Sequence, residues 1–470
     1  MAKVDSHHPL YDSMSDSWQS CRDCVAGQKA IHAAGERYLP KLTDQTDSDY
    51  QAYKTRAQFF NATWRTISAL SGMIFRRPPV IDVAPSVEPY LDDVTMSGIS
   101  FHILAQRATL EVLTTGRLGV LVDYPQQSVE GMTLADAQKL NLRPSMNTYP
   151  AESIINWKTT WSRNRTVLSM VVLTESAALE PDNEFEHKTE TRYRVLDLFN
   201  NQYRVRVFRI NDKKEDEQVG KDLFPLMNGK PLDFIPFYFI GVDDTTPEID
   251  DPPLNDLVDL NLDHYRLDAD YKHGLHFTGL PTPVVAGYTR ENENEKLYVG
   301  SSSAWVFSDP RAKATYLEYT GQGLSAIQAA KASDEQNMAI LGARLLSSEK
   351  KAVETAQTAQ IHRAGESSIL SAISSTISIG LTMALNTFCE WAGSPGKWSV
   401  VLNDEFMPPE VTPQELAEWL KGWQMGAPGF SDQGLFDILQ KREVVMPGVT
   451  LKEEQERIAS KAPSLMDGEE

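Results

Sequence analysis

Between Pro310 and Pro395 no proline occurs, and this absence constrains the fold more than any motif, because proline is the residue that stops or kinks a helix. Within the span, Leu324, Ile327, Met338, Leu341 and Leu345 recur at helical spacing. Residues 353–391 then read as a second, near-continuous helix, more than about 50 Å long at 1.5 Å per residue and longer than a small lone globule needs. The expected break between the two is 342–351, which contains Ser347, Ser348, Glu349, Lys350 and Lys351. Residues 367–389 carry no charge and match a membrane-spanning helix in length, yet ten of them are Ser, Thr or Asn. Hydroxyls and amides lack partners in lipid, so a helix packed on all sides by protein is expected.

Upstream, 254–277 has helical spacing. Asp256, Asp259, Asp263 and Asp270 fall on one face, and Leu257, Leu260, His264, Leu267 and Tyr271 on another. The acidic row alone leaves open an ordinary solvated face. Residues 279–319 change to short strand-like pieces, 283–287 and 304–307, divided by a charged tip at 290–296. The first half reads as α+β, with helices in 15–76 and 100–114 and a glycine-opened strand at 116–124. Antiparallel strands follow at 153–157, 167–173, 193–199 and 203–210, and a last one at 235–241. After Pro395 come a strand at 398–403 and a helix opened by Thr412-Pro413-Gln414-Glu415 and running to Met425. A second helix covers 433–442, and the tail 451–470 is a short fraying helix.

At 470 residues and 41% hydrophobic the chain can build two to four packed regions. Its 65 acidic against 45 basic residues give a net charge of -20, opposite to the footprint of a general phosphate binder. Three cysteines suit a reducing compartment, and residues 1–13 lack the apolar core of a signal peptide. Assembly in the cytoplasm is expected. Cys21 and Cys24 form a lone CxxC pair without the four ligands zinc needs, even with His7 and His8 nearby. His264, His273 and His276 on the 254–277 helix read as packing or solvent-facing groups. Gly116 and Gly119 open a strand, and no Gly-Lys-Ser/Thr occurs, which leaves no phosphate-binding loop. No nucleophile elbow, HExxH or calcium loop is present, and no carboxylate pair stands out as catalytic. The paired C-terminal helices around 426–430 have too few basic flanks for a DNA-reading helix-turn-helix.

Several stretches resemble one portal-like family of tailed phages. They are Phe60-Asn61-Ala62-Thr63-Trp64-Arg65-Thr66, Gly72-Met73-Ile74-Phe75-Arg76-Arg77-Pro78-Pro79, residues 149–157, Asp259-Leu260-Asn261-Leu262-Asp263-His264-Tyr265-Arg266 and Gly279-Leu280-Pro281-Thr282-Pro283-Val284-Val285. The similarity runs from about residue 15 to 460, and its specificity lies in the number and order of stretches, none of which is a chemical signature. The resemblance implies a helix-rich α+β portal fold assembled as a ring. Its parts would be an N-terminal wing (1–250), a first stem helix (251–278), a clip (279–320), a second stem helix (321–346), a tunnel loop (347–352), a long wing helix with a returning strand (353–403) and a helical crown with the C-terminal tail (404–470).

The function so implied is that of a DNA conduit, without catalysis or cofactor, for genome packaging, retention and ejection at one vertex of the phage head. Asp256, Asp259, Asp263 and Asp270 would line the channel and repel phosphates. Lys350 and Lys351, within the tunnel loop Ser347, Ser348, Glu349, Lys350 and Lys351, would touch the DNA backbone, although a solvated charged turn reads the same way. Arg290, Glu291, Glu293, Glu295, Lys296 and Trp305 would form the clip surface that meets motor and adaptor. Expected partners are eleven further copies in a dodecamer, double-stranded DNA, major capsid and scaffolding proteins, large terminase and a head-tail adaptor, with no membrane. The expected location is the portal vertex of the virion, after assembly in the host cytoplasm. The alternatives are a packaging-associated nuclease or motor subunit, and a head-completion or minor capsid protein.

Overall fold

The computed structural model describes residues 3–125, 142–162, 164–179, 185–279, 282–287, 305, 307, 310–317, 321–344, 368–404, 406, 411–442, 444–445 and 449–461. In chain order, helices α1 (Pro9–Ala26), α2 (Gln28–Ala34), α3 (Asp47–Arg56) and α4 (Ala62–Ile74) precede β1 (Val80–Asp82), α5 (Phe101–Thr115), β2 (Arg117–Asp123) and β3 (Ser145–Pro150). An antiparallel meander follows: β4 (Ile154–Ser162), β5 (Arg165–Ala178), β6 (Thr189–Phe199), β7 (Gln202–Ile210) and β8 (Asp216–Gln218). A small hairpin of β9 (Leu226–Met227) and β10 (Lys230–Pro231) leads to β11 (Phe237–Gly241), which pairs with β2 in a three-stranded sheet ordered β11-β2-β3. The α+β expectation for the first half therefore stands, with β5 extending beyond the expected 167–173 at both ends.

The core forms where α5 and the helix Ile369–Trp391 lie on the β11-β2-β3 sheet. Leu118, Val120, Ile240, Ile377, Leu381, Leu385 and Phe388 are all fully buried there. Two glycines permit the approach. A Cβ at Gly380 would sit 2.6 Å from Ile240 Cγ1, and one at Gly119 would sit 2.1 Å from the Phe237 ring. Bulkier residues at either place would hold helix and sheet apart.

After β11 come α6 (Asn255–Gly279), the hairpin β12 (Thr282–Ala286) with β13 (Lys313–Leu317), α7 (Leu324–Arg344), α8 (Ile369–Trp391) and β14 (Ser399–Val401), which pairs with β1. Two expectations change here. Of the helix expected over 353–391, residues 353–367 lie outside the described residues, and Ser368, with an extended backbone and a hydroxyl that accepts from Ser371 N–H, is the N-cap of α8. A serine caps a free amide in this way only from outside the helix, so α8 starts after it. The partner of β12 is 313–317, with Val284 opposite Thr315. The strand-like piece expected at 304–307 is described only at 305 and 307, neither of which is in a strand. The C-terminal helices α9 (Pro413–Gln424), α10 (Asp432–Lys441) and α11 (Leu451–Lys461) follow the expected order. The Thr412–Glu415 capping box closes reciprocally, as the sequence motif requires.

Helix α8, uncharged up to Glu390, is long and apolar enough to cross a membrane by length and composition. Its polar residues are nonetheless spent on protein. Ser378 Oγ accepts from Leu402 N–H at 3.0 Å, Thr382 Oγ1 from Val400 N–H at 2.9 Å and Asn386 Oδ1 from Trp398 N–H at 2.9 Å. Residues four apart on a helix thereby serve residues two apart on a strand, because both spacings are about 6 Å. The packing is not all-round: Ile379 and Met383 remain 52% and 40% exposed along one stripe.

Candidate functional site

The four acidic residues expected to line the DNA channel lie on α6, and the body positions this helix through a short linker. Arg117 lies at the start of β2, only 2% exposed, with its guanidinium stacked 4.2 Å from the Trp157 ring centre and 4.7 Å from that of Phe239. Its Nη1 donates to the carbonyls of Pro247 and Glu248, at 2.9 Å each. Asp250 accepts from the Val242 and Asp243 amides, so the linker is held from both ends. Burial pulls the Arg117 pKa down and pushes that of Asp250 up, the direction desolvation imposes on each charge.

One face of α6 buries Val258, Leu262, Tyr265 and Ala269 against Tyr50, Tyr53 and Phe59 and the α1–α2 region. Asn261, fully buried, accepts from Thr63 N–H and Oγ1 and donates to the Phe60 carbonyl, tying α6 to the first turn of α4. Asp256, Asp259, Asp263 and Asp270 are all exposed, as their spacing predicts. The row is less uniform than expected. Arg266 shares the face and pairs with Asp263 at 3.8 Å, and Asp270 accepts a 2.5 Å bond from Tyr53 Oη. Burial and that bond push the Tyr53 phenol well up, so it stays a donor.

The third face meets α7. Partners of 264, 268 and 278 are 335, 331 and 321, falling as the first numbers rise, so the helices run antiparallel. The seam is polar. His264, 3% exposed, places Nε2 3.2 Å from Glu335 Oε1. Asp268, 4% exposed, forms an ion pair with Lys331, lies 3.4 Å from Lys272 Nζ and accepts from Gln58 N–H at 2.7 Å. Sequence spacing assigned His264 to this face but missed Asp268, Asn261 and Lys331. The legible signal was that Asp268 falls off the acidic row, four residues from His264 and four from Lys272. Burial and the nearby Asp263 raise the Asp334 carboxyl, adding a further acid to the seam.

The tunnel-loop residues Ser347, Ser348, Glu349, Lys350 and Lys351, and the clip residues Arg290, Glu291, Glu293, Glu295 and Lys296, lie outside the described residues; Trp305 is described and half-buried. Cys21 and Cys24 are buried on α1. Burial first, then Asp259, pushes the Cys21 thiol up to about 12, which leaves it a poor nucleophile. Among the described residues no cluster of His, Cys, Asp or Glu could hold a metal. His8 serves the structure instead, since its Nδ1 accepts from Leu10 N–H at the start of α1 and its ring stacks 4.0 Å from that of Trp157.

A family described as a domain of unknown function, DUF4055, matches residues 253–392, from the start of α6 to the end of α8. No curated protein matches the chain. Among solved structures the chain is similar to a chain of the neck of an empty gene transfer agent particle, at 11% identity and TM-score 0.38, covering 85% of this chain and 94% of that one. It is also similar to a chain of the native gene transfer agent virion, again at 11% identity and TM-score 0.38, covering 88% and 98%. A third likeness, to the neck of the native particle computed with twelvefold symmetry, has TM-score 0.33 and 11% identity, covering 80% and 89%. Likenesses this remote carry no functional argument.

Proposed function

We propose that the chain is a portal subunit, one of twelve that close a ring around double-stranded DNA at a single vertex of a phage-like head, and that it acts as a conduit without catalysing a reaction. The observation that supports this reading is the antiparallel pair α6–α7, about 38 and 32 Å long at 1.5 Å per residue, with Asp256, Asp259 and Asp263 exposed along α6. Copies set side by side would wall a pore with such pairs, and carboxylates at several levels would keep phosphates from adhering. In this reading the β12–β13 region faces the packaging motor and later the tail adaptor. Lys350 and Lys351 meet the DNA backbone, and the remaining surface meets capsid and scaffolding proteins.

Electron microscopy of assembled particles tests the reading directly: a ring with a central channel walled by α6 and α7 is expected, and particles without a channel would overturn it. Changing Asp256, Asp259 and Asp263 together to Asn should leave the ring intact and create salt-sensitive DNA retention. ATP hydrolysis or metal-dependent DNA cleavage by the purified chain would favour a packaging enzyme instead.

A further inference from the structure

From Ser153 to Thr174 the sequence has no Asp or Glu, and from Pro231 to Tyr265 it has no Lys or Arg. The first stretch is the β4–β5 hairpin. Its turn is tight, with Ser162 opposite Arg165 and Asn164 in the left-handed region at φ 59°. The inner half of β4 is covered, since His8 N–H donates to the Ile155 carbonyl and Asn156 Nδ2 to that of Ser6. Beyond Trp157 it is open. β5 pairs with β6 only from Met170 onward, so the tip is a two-stranded ribbon that overhangs the sheet.

This tip presents Trp161, 70% exposed, on one face of the ribbon and the exposed cations Lys158 and Arg165 on the other, since Arg165 stands opposite Ser162 and neighbouring positions alternate. Elsewhere on the same sheet Arg192, Arg194, Arg204, Arg206 and Arg209 each pair with a carboxylate. Among the described residues Lys158 and Arg165 have none within ion-pair distance. An indole left in water on a tip whose other face carries two cations matches the aromatic-and-basic composition of an interface anchor.

We propose that this tip docks on a second copy of the chain, against the base-free linker after β11, where Asp243, Asp244, Glu248 and Asp251 are exposed. The two surfaces differ and lie on one chain, so the contact is head-to-tail, the kind that closes rings. Duplex DNA fits less well, because two placed cations give little phosphate attraction on a chain of net charge -20 and stacked bases offer the indole no slot. The inference rests on the ring reading but can fail without it.

Sedimentation velocity of the full chain over a range of concentration and salt, with Trp161→Ser and with Lys158→Glu plus Arg165→Glu, tests it. All three sites are exposed, so circular dichroism and melting should match the wild type. The expected result is an assembly midpoint raised about tenfold or more in both variants. Adding Asp243→Lys and Asp244→Lys to the charge-reversed variant should bring the midpoint back. Variants that form rings as readily as the wild type overturn the docking tip while leaving the ring reading intact. A wild type that is monomeric throughout also overturns it, and particle images then judge the ring separately. Loss of duplex DNA binding by fluorescence anisotropy, with unchanged assembly, would assign the tip to DNA.

Discussion

Helices α6 and α8 are of similar length and are held in opposite ways. α8 lies on the β11-β2-β3 sheet through fully buried Ile377, Leu381, Leu385 and Phe388, close enough that position 380 must be glycine. On its α7 side, α6 is held by His264–Glu335 and Asp268–Lys331, and α7 itself buries little beyond Leu324 and Met338. The first attachment scales with apolar area and is insensitive to salt. The second depends on a few charges, so a change to one of them should be felt at the α6–α7 seam before it reaches the core.

The contrast can be broken by mutation. Phe388→Ala should cost about 4 kcal/mol of global stability, through lost burial and the cavity left behind. Chemical denaturation measures this, and a loss below about 1 kcal/mol would mean that α8 is not the centre of the core. Asp268→Ala should cost about 3 kcal/mol by leaving Lys331 without its partner at a mostly buried seam. Here hydrogen exchange should rise over α6 and α7 while the α8 amides stay protected; uniform exchange across the chain would contradict separate attachments.

Thr382→Val should cost about 1 kcal/mol, because it leaves the Val400 amide without its acceptor while keeping side-chain volume. Lost protection confined to β14 is the signature, and an unchanged Val400 amide would sink the helix-to-strand ladder. The smallest effect concerns His8, whose pKa is lowered by burial and then by Arg117. Its folded value lies below the unfolded 6.5, so the detached segment binds protons more readily. The anchoring of residues 3–8 is thus complete above pH 6.5 and weakens as pH falls below it. Protection of the His8 amide, which donates to the Ile155 carbonyl, relative to its intrinsic exchange rate at pH 7.5 and 5.5 would show this, and equal protection at both would remove His8 from the anchor.

Local chemistry made much of the fold legible in the sequence. The strands β4 to β7, α5, the Thr412 capping box and the two helices on either side of the β-rich insert follow from alternation, helical spacing and turn residues, which act over a few positions. The acidic row was legible for the same reason, since a spacing of three, four and seven puts carboxylates on one helix face. Other features were decided only in three dimensions. Asp268 reads as one more acid in a helix until Lys331, far along the chain, closes on it. Asp270 belongs to the row by spacing and to Tyr53 by contact. Ser368 looks like the interior of a long helix until its hydroxyl caps α8. Residue spacing determines which faces a segment can offer, whereas pairings between distant segments depend on which faces are brought together, and that is set by the packing of the whole core.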